Sequence, residues 1–110
     1  MIGEITFRDG RNTYAVNEKV FVKIKATNTG AGQIPFGVLG LAASNNVFQT
    51  SWSNGVIEAG KPFTHEDGLA FGSPGAYKLW LSICFSDKST CEGPSGDWER
   101  FEPGLDVVVQ

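Results

Sequence analysis

A chain of 110 residues with a net charge of −3 and 19% charged residues is long enough to bury one core and too short for two domains. Its lysines and arginines form no run, which argues against nucleic acid and anionic membranes as partners, because both require clustered cations. No apolar stretch approaches the length of a bilayer crossing, and the start lacks the cationic and apolar segments of a secretory leader, so the chain reads as a mature or excised domain.

Fourteen glycines and eight phenylalanines between turn clusters predict an all-β chain, and no segment reads as a helix. Residues 18–28 alternate Val20, Val22, Ile24 and Ala26 against Phe21, Lys23, Lys25 and Thr27. That pattern makes a strand with one wet face, and Asn28-Thr29-Gly30 ends it. Ile34–Ala43 is a glycine-rich strand and Val47–Ser53 another. Ser53-Asn54-Gly55 carries a hairpin signal ahead of Val56–Ala59. Lys61–Phe71 holds one strand, or two broken at Asp67-Gly68. Tyr77–Phe85 follows the turn Gly72-Ser73-Pro74-Gly75, and Leu105–Val109 closes the chain with Leu105, Val107 and Val109 inward. Seven or eight short antiparallel strands at this spacing predict a single immunoglobulin-like, Greek-key β-sandwich over residues 1–110. Tyr77 stands where such folds place a corner tyrosine whose hydroxyl bonds back to the chain.

The strand from Tyr77 carries the main functional signal. Its odd positions are Tyr77, Leu79, Leu81, Ile83 and Phe85, and its even ones Lys78, Trp80, Ser82 and Cys84. Side chains alternate across a strand, so Trp80 faces outward beside a lysine and a serine. Flat aromatics among short hydrogen-bonding side chains suit a ligand with apolar faces and polar edges, such as a sugar. The strand should lie between Ile34–Ala43 and Leu105–Val109. The phase of Ile34–Ala43 expected beside Trp80 is Pro35, Gly37, Leu39 and Leu41, and the last strand offers Asp106 and Val108.

Cys84 and Cys91 are the two thiols, and they could be free, metal-binding or bridged. Zinc is disfavoured because the single histidine, His65, lies far away in sequence. A disulfide is favoured, and with it secretion. It would fix the loop 86–98, which carries Trp98, either as a plug over the sandwich end or at the rim of the Trp80 face. In the second case Asp97, Glu99 and Arg100 would bond ligand hydroxyls. For Trp52, strict alternation places it with Phe48, opposite Gln49, Ser51 and Ser53. It is then either a core aromatic with Phe63 or a ligand contact, and Trp52 and Gln49 cannot share a ligand. The candidate binding residues are therefore Trp80, Trp98, Trp52, Gln49, Asp97 and Arg100.

Catalysis has little support. No nucleophile elbow, metalloprotease helix or phosphate loop accompanies His65, which reads as an exposed strand residue. Calcium stays open, since Glu66, Asp67, Asp87, Glu92 and Asp97 sit in turns, without the spacing of a dedicated loop.

The strand ending Ala26-Thr27-Asn28-Thr29-Gly30, the Gly75-Ala76-Tyr77-x-Leu79-Trp80 strand, the acidic Gly-rich cysteine loop and the three tryptophans together resemble a bacterial β-sandwich carbohydrate-binding module of the kind appended to endoglucanases. The resemblance implies non-catalytic binding of cellulose, mixed-linkage glucan or xyloglucan in a tryptophan-lined cleft, as part of a larger secreted glycoside hydrolase, sometimes with calcium nearby. The rival expectation is an immunoglobulin-like protein-binding or protease-inhibitor module with its aromatics in end loops, and a third is a structural spacer.

Overall fold

The computed structural model describes Met1–Gln110 as a two-sheet β-sandwich of immunoglobulin-like type. Its elements are β1 (Ile2–Phe7), β2 (Thr13–Tyr14), β3 (Lys19–Thr27), β4 (Ile34–Ala43), β5 (Phe48–Ile57), β6 (Pro62–Ala70), β7 (Gly75–Cys84), α1 (Lys88–Cys91) and β8 (Trp98–Val109). One sheet has the order β1-β3-β6 and the other β2-β8-β7-β4-β5. All pairings are antiparallel except the short β2–β8 pair, which is parallel.

The core forms because alternating apolar residues from both sheets bury their faces against each other. Val20, Val22, Ile24 and Ala26 of β3 meet Leu39 and Leu41 of β4, Leu79, Leu81 and Ile83 of β7 and Val107 of β8, all fully buried. Burying side chains of this size stabilises by about 1.5–3 kcal/mol each before entropy is charged. Gly3 of β1 is part of this closure. A Cβ there would stand 2.6 Å from Cγ of Phe101 and 2.9 Å from Cδ2 of Leu81, so only glycine lets β1 approach the opposite sheet.

Two turns are pinned by side chains that alternation singles out. The Tyr77 hydroxyl donates to the Ser73 carbonyl at 2.7 Å, which is the corner bond expected at that position. Asn28 is buried; its Nδ2 donates to the carbonyls of Gly32 at 2.6 Å and Ile57 at 3.1 Å, and its Oδ1 accepts from the Gly30 amide at 2.9 Å. Asn28→Ala strands buried backbone groups and should lower stability by about 2–3 kcal/mol, read as a fall in the thermal midpoint.

Several expected boundaries differ. β5 runs unbroken through Ser53-Asn54-Gly55. Asn54 takes a positive φ of 55° inside the strand, because continued pairing with β4 outweighs the local hairpin preference. β6 crosses Asp67-Gly68 without a break, the single-strand form of the two expected for Lys61–Phe71. β1 and β2 were not marked by strong alternation, and α1 is one turn of helix inside a segment read as loop. β8 begins at Trp98, well before Leu105.

Candidate functional site

Ladder partners point to the same side of a sheet, so the register defines the outer face of the five-stranded sheet. Trp98, Cys84, Val38 and Ser53 form one row across it. Arg100, Ser82, Gly40 and Thr50 form the next, and Trp80, Ala42 and Phe48 a third. The β4 residues beside Trp80 are thus Val38, Gly40 and Ala42. Leu39 and Leu41, expected there, are instead fully buried between the sheets.

Small residues in the middle rows leave space above the sheet. Trp98 from β8 and Phe48 from β5 lean across β7 and β4 and meet edge to face, with centroids 5.1 Å apart and planes at 78°. They remain 40% and 39% exposed. Phe48 rests on Gly40, where a Cβ would stand 2.7 Å from its Cζ. Beside this pair opens a groove of about 380 Å³ lined by Val38, Phe48, Thr50, Ser53, Lys88, Cys91, Glu92 and Trp98.

The groove wall is α1, and a disulfide holds it down. Cys84 and Cys91 are bonded and buried with Val38 as a small cluster under the groove. Lys88 opens α1 and Glu92 caps its C-terminal end one turn on, with their charged ends 3.7 Å apart. Asp87 precedes α1 and accepts from the hydroxyls of Ser89, at 2.6 Å, and Thr90. Those two bonds hold its carboxylate below the usual aspartate range. A depressed carboxylate stabilises the fold above its unfolded-state pKa and loses that contribution as pH falls through the folded value. Acid below the ordinary aspartate range should therefore loosen α1 before the core, seen as a change in Trp98 fluorescence without loss of β-sheet circular dichroism.

Trp80 faces outward as its phase demands, but its ring is already occupied. Arg100 Cζ lies 4.0 Å from the ring centroid and the indole N–H donates to Glu102 at 3.0 Å. The ladder is irregular here, with Trp80 alone facing the β8 stretch 102–104, which folds over it. Trp80 and Arg100 are therefore a cation–π pair within the protein, so the guanidinium covers one face of the indole expected to meet sugar, and Trp80 does not line the groove. Trp80→Ala should lower stability by about 1–2 kcal/mol and leave glucan binding within about threefold of the parent, because neither Trp80 nor Arg100 lines the groove. Urea melts and affinity electrophoresis check the two halves.

Trp52 lies on the opposite side from Phe48. A bulge between Leu39 and Gly40 opposes them to Trp52 and Thr50 and leaves Ser51 as the extra residue, which reverses the alternation. Trp52, 44% exposed, packs edge-on against Phe63 at 5.6 Å and His65 at 5.3 Å in the open side between β5 and β6. Gln49 and Ser51 reach Asp67 on that same side, at 3.5 and 2.7 Å, so Trp52 and Gln49 do share a side. His65 is half-buried against Trp52 rather than an exposed strand residue. Asp97 lies in the loop before β8, where its backbone bonds Phe85 and Ser86, outside the groove.

The six expected binding residues thus separate into Trp98 at the groove, the Trp80–Arg100 stack, the Trp52–Gln49 side and Asp97. Phe48, Lys88 and Glu92 were missed as groove residues. No three His, Cys, Asp or Glu side chains converge as a metal cluster; of the carboxylates considered for calcium, Glu66 and Asp67 lie within β6 rather than in a turn.

A solved structure shares this architecture. The chain is similar to the CARDB domain of the PF1109 protein from Pyrococcus furiosus, crystallised in complex with di-metal ions, with a TM-score of 0.65 and 14% identity over 98% of this chain and 90% of that one. The likeness is one of fold. No family model and no curated protein matches the chain.

Proposed function

We propose that this domain is a non-catalytic, secreted binding module whose groove beside α1 takes a segment of a β-linked glucan and so holds an attached glycoside hydrolase on its substrate. The observation that supports this is the Trp98–Phe48 pair, two half-exposed aromatics fixed edge to face on strands, with Lys88, Glu92, Thr50 and Ser53 around the same groove. A pyranose face stacks on the indole while the ring hydroxyls meet the ammonium, carboxylate and hydroxyl groups. The cystine under the groove fits an oxidising compartment and holds the wall that the ligand meets.

A groove with one exposed indole and its phenylalanine partner implies modest affinity, in the micromolar to millimolar range left after ordering costs. The protease-inhibitor reading draws less support, because the aromatics stand on strands rather than in loops at one end. Electrophoresis through gels containing barley β-glucan tests the proposal. Retardation relative to a β-glucan-free gel, with no reducing sugar released, is the expected result. Unchanged mobility would refute it.

A further inference from the structure

The free edge of β5 carries a second signal. β5 ends the five-stranded sheet, and beyond its ladder with β4 it meets no further strand. Such an edge is normally blunted by charge, by proline or by shortness. The other edges obey that rule. β2 has two residues, β1 carries Glu4 and packs against β8, and β6 opens on Pro62 and carries Glu66 and Asp67. β5 runs for ten residues, Phe48–Ile57, with no charged residue and no proline. It also gathers the exposed apolar side chains: of the seven large ones left exposed, Val47, Phe48, Trp52 and Val56 lie on β5 or directly before it. Phe48 serves the groove, which leaves the other three uncovered.

We infer that the β5 edge is a docking surface for a second copy of this chain, which adds its own β5 antiparallel and joins the two outer sheets into one of ten strands. Such a pairing is two-fold symmetric, so every contact occurs twice and growth stops at two copies. Each copy has a net charge of −3, and an uncharged edge is where two acidic chains can approach. Asp67 is the one carboxylate bonded to β5, through Ser51 at 2.7 Å, and ordinary salt screens it from its counterpart. Trp52 lies near the midpoint of β5, so it stands close to the two-fold and meets the Trp52 of the other copy. Ten residues of strand span about 33 Å, and the molecule is 18 Å across its shortest dimension. The β5 side therefore offers about 600 Å² per copy, or about 1,200 Å² in total, the low end of specific interfaces. The bulge at Ser51 is a device that blunts an edge, so self-pairing runs on either side of it and the dimer is a weak one.

The test is sedimentation equilibrium of the intact chain from about 10 μM to about 1 mM in about 0.15 M salt. The weight-average mass should climb from 11.8 kDa toward twice that value, with half-association in the range of about 0.1–1 mM left after ordering costs. V56K and W52K should weaken association by about tenfold or more, because each sets a lysine from both copies into the shared ladder. I2K and V108K make the same change at exposed apolar positions of β1 and β8 and should stay within about threefold of the parent. Val56 is exposed, so V56K should keep the parent's β-sheet circular dichroism and decides the matter even if W52K, which loses the contacts of Trp52 with Phe63 and His65, does not fold. A constant mass of 11.8 kDa throughout, growth past the dimer, undiminished association of V56K, or equal loss in I2K and V108K would each overturn the inference.

Discussion

Gly40→Ala should lower the stability of the domain by about 2–4 kcal/mol and disturb the groove at the same time. A Cβ at this position would stand 2.1 Å from the Gln49 carbonyl oxygen and 2.7 Å from Cζ of Phe48. The first neighbour is backbone of the paired strand, so it moves only if β4 and β5 separate beside the bulge. The second is the ring that forms the groove with Trp98. Urea unfolding should show a lower midpoint with an unchanged slope, and the loss should exceed that of Trp80→Ala. A variant as stable as the parent would mean that β5 does not lie against β4 in this register.

Trp98→Ala should weaken glucan binding by about tenfold or more, in keeping with about 1–3 kcal/mol for one aromatic stacking contact. Trp98 is 40% exposed and its row neighbours are Cys84 and Val38 rather than the main core, so the fold should lose no more than about 1 kcal/mol. Phe48→Ala should weaken binding less, because it removes the edge-on support of the indole and not the stacking surface itself. Affinity electrophoresis in β-glucan gels ranks the three proteins. Equal retardation of Trp98→Ala and parent would place the contact elsewhere.

Much of the fold was legible because two strands alternate without interruption. β3 buries every second residue along its whole length and β7 keeps the same apolar period, although Ser82 and Cys84 on its outer face are also buried, so their faces, the core and the outward direction of Trp80 follow from period two. The corner tyrosine and the Cys84–Cys91 bond were legible for related reasons: one rests on a local turn and the other on two thiols close in sequence. The site was less legible, and the reason lies in β5. A single extra residue, Ser51, reverses the phase between Phe48 and Trp52, and nothing in Phe48-Gln49-Thr50-Ser51-Trp52 marks it. Strict alternation therefore placed Phe48 and Trp52 together, although they serve opposite sides. The occupancy of Trp80 was hidden for another reason. Arg100 and Glu102 lie 20 and 22 residues along the chain, and only the pairing of β7 with β8 brings them over the indole.

The most direct test of the groove is a nuclear magnetic resonance titration with cellohexaose, following the three indole N–H resonances. Sugar seated beside α1 should shift the Trp98 resonance and the amides of Lys88–Cys91 progressively, while Trp80, bonded to Glu102, and Trp52, on the far side of β5, stay in place. Shifts centred on Trp52, or an unchanged Trp98 at saturating sugar, would contradict the assignment of this groove.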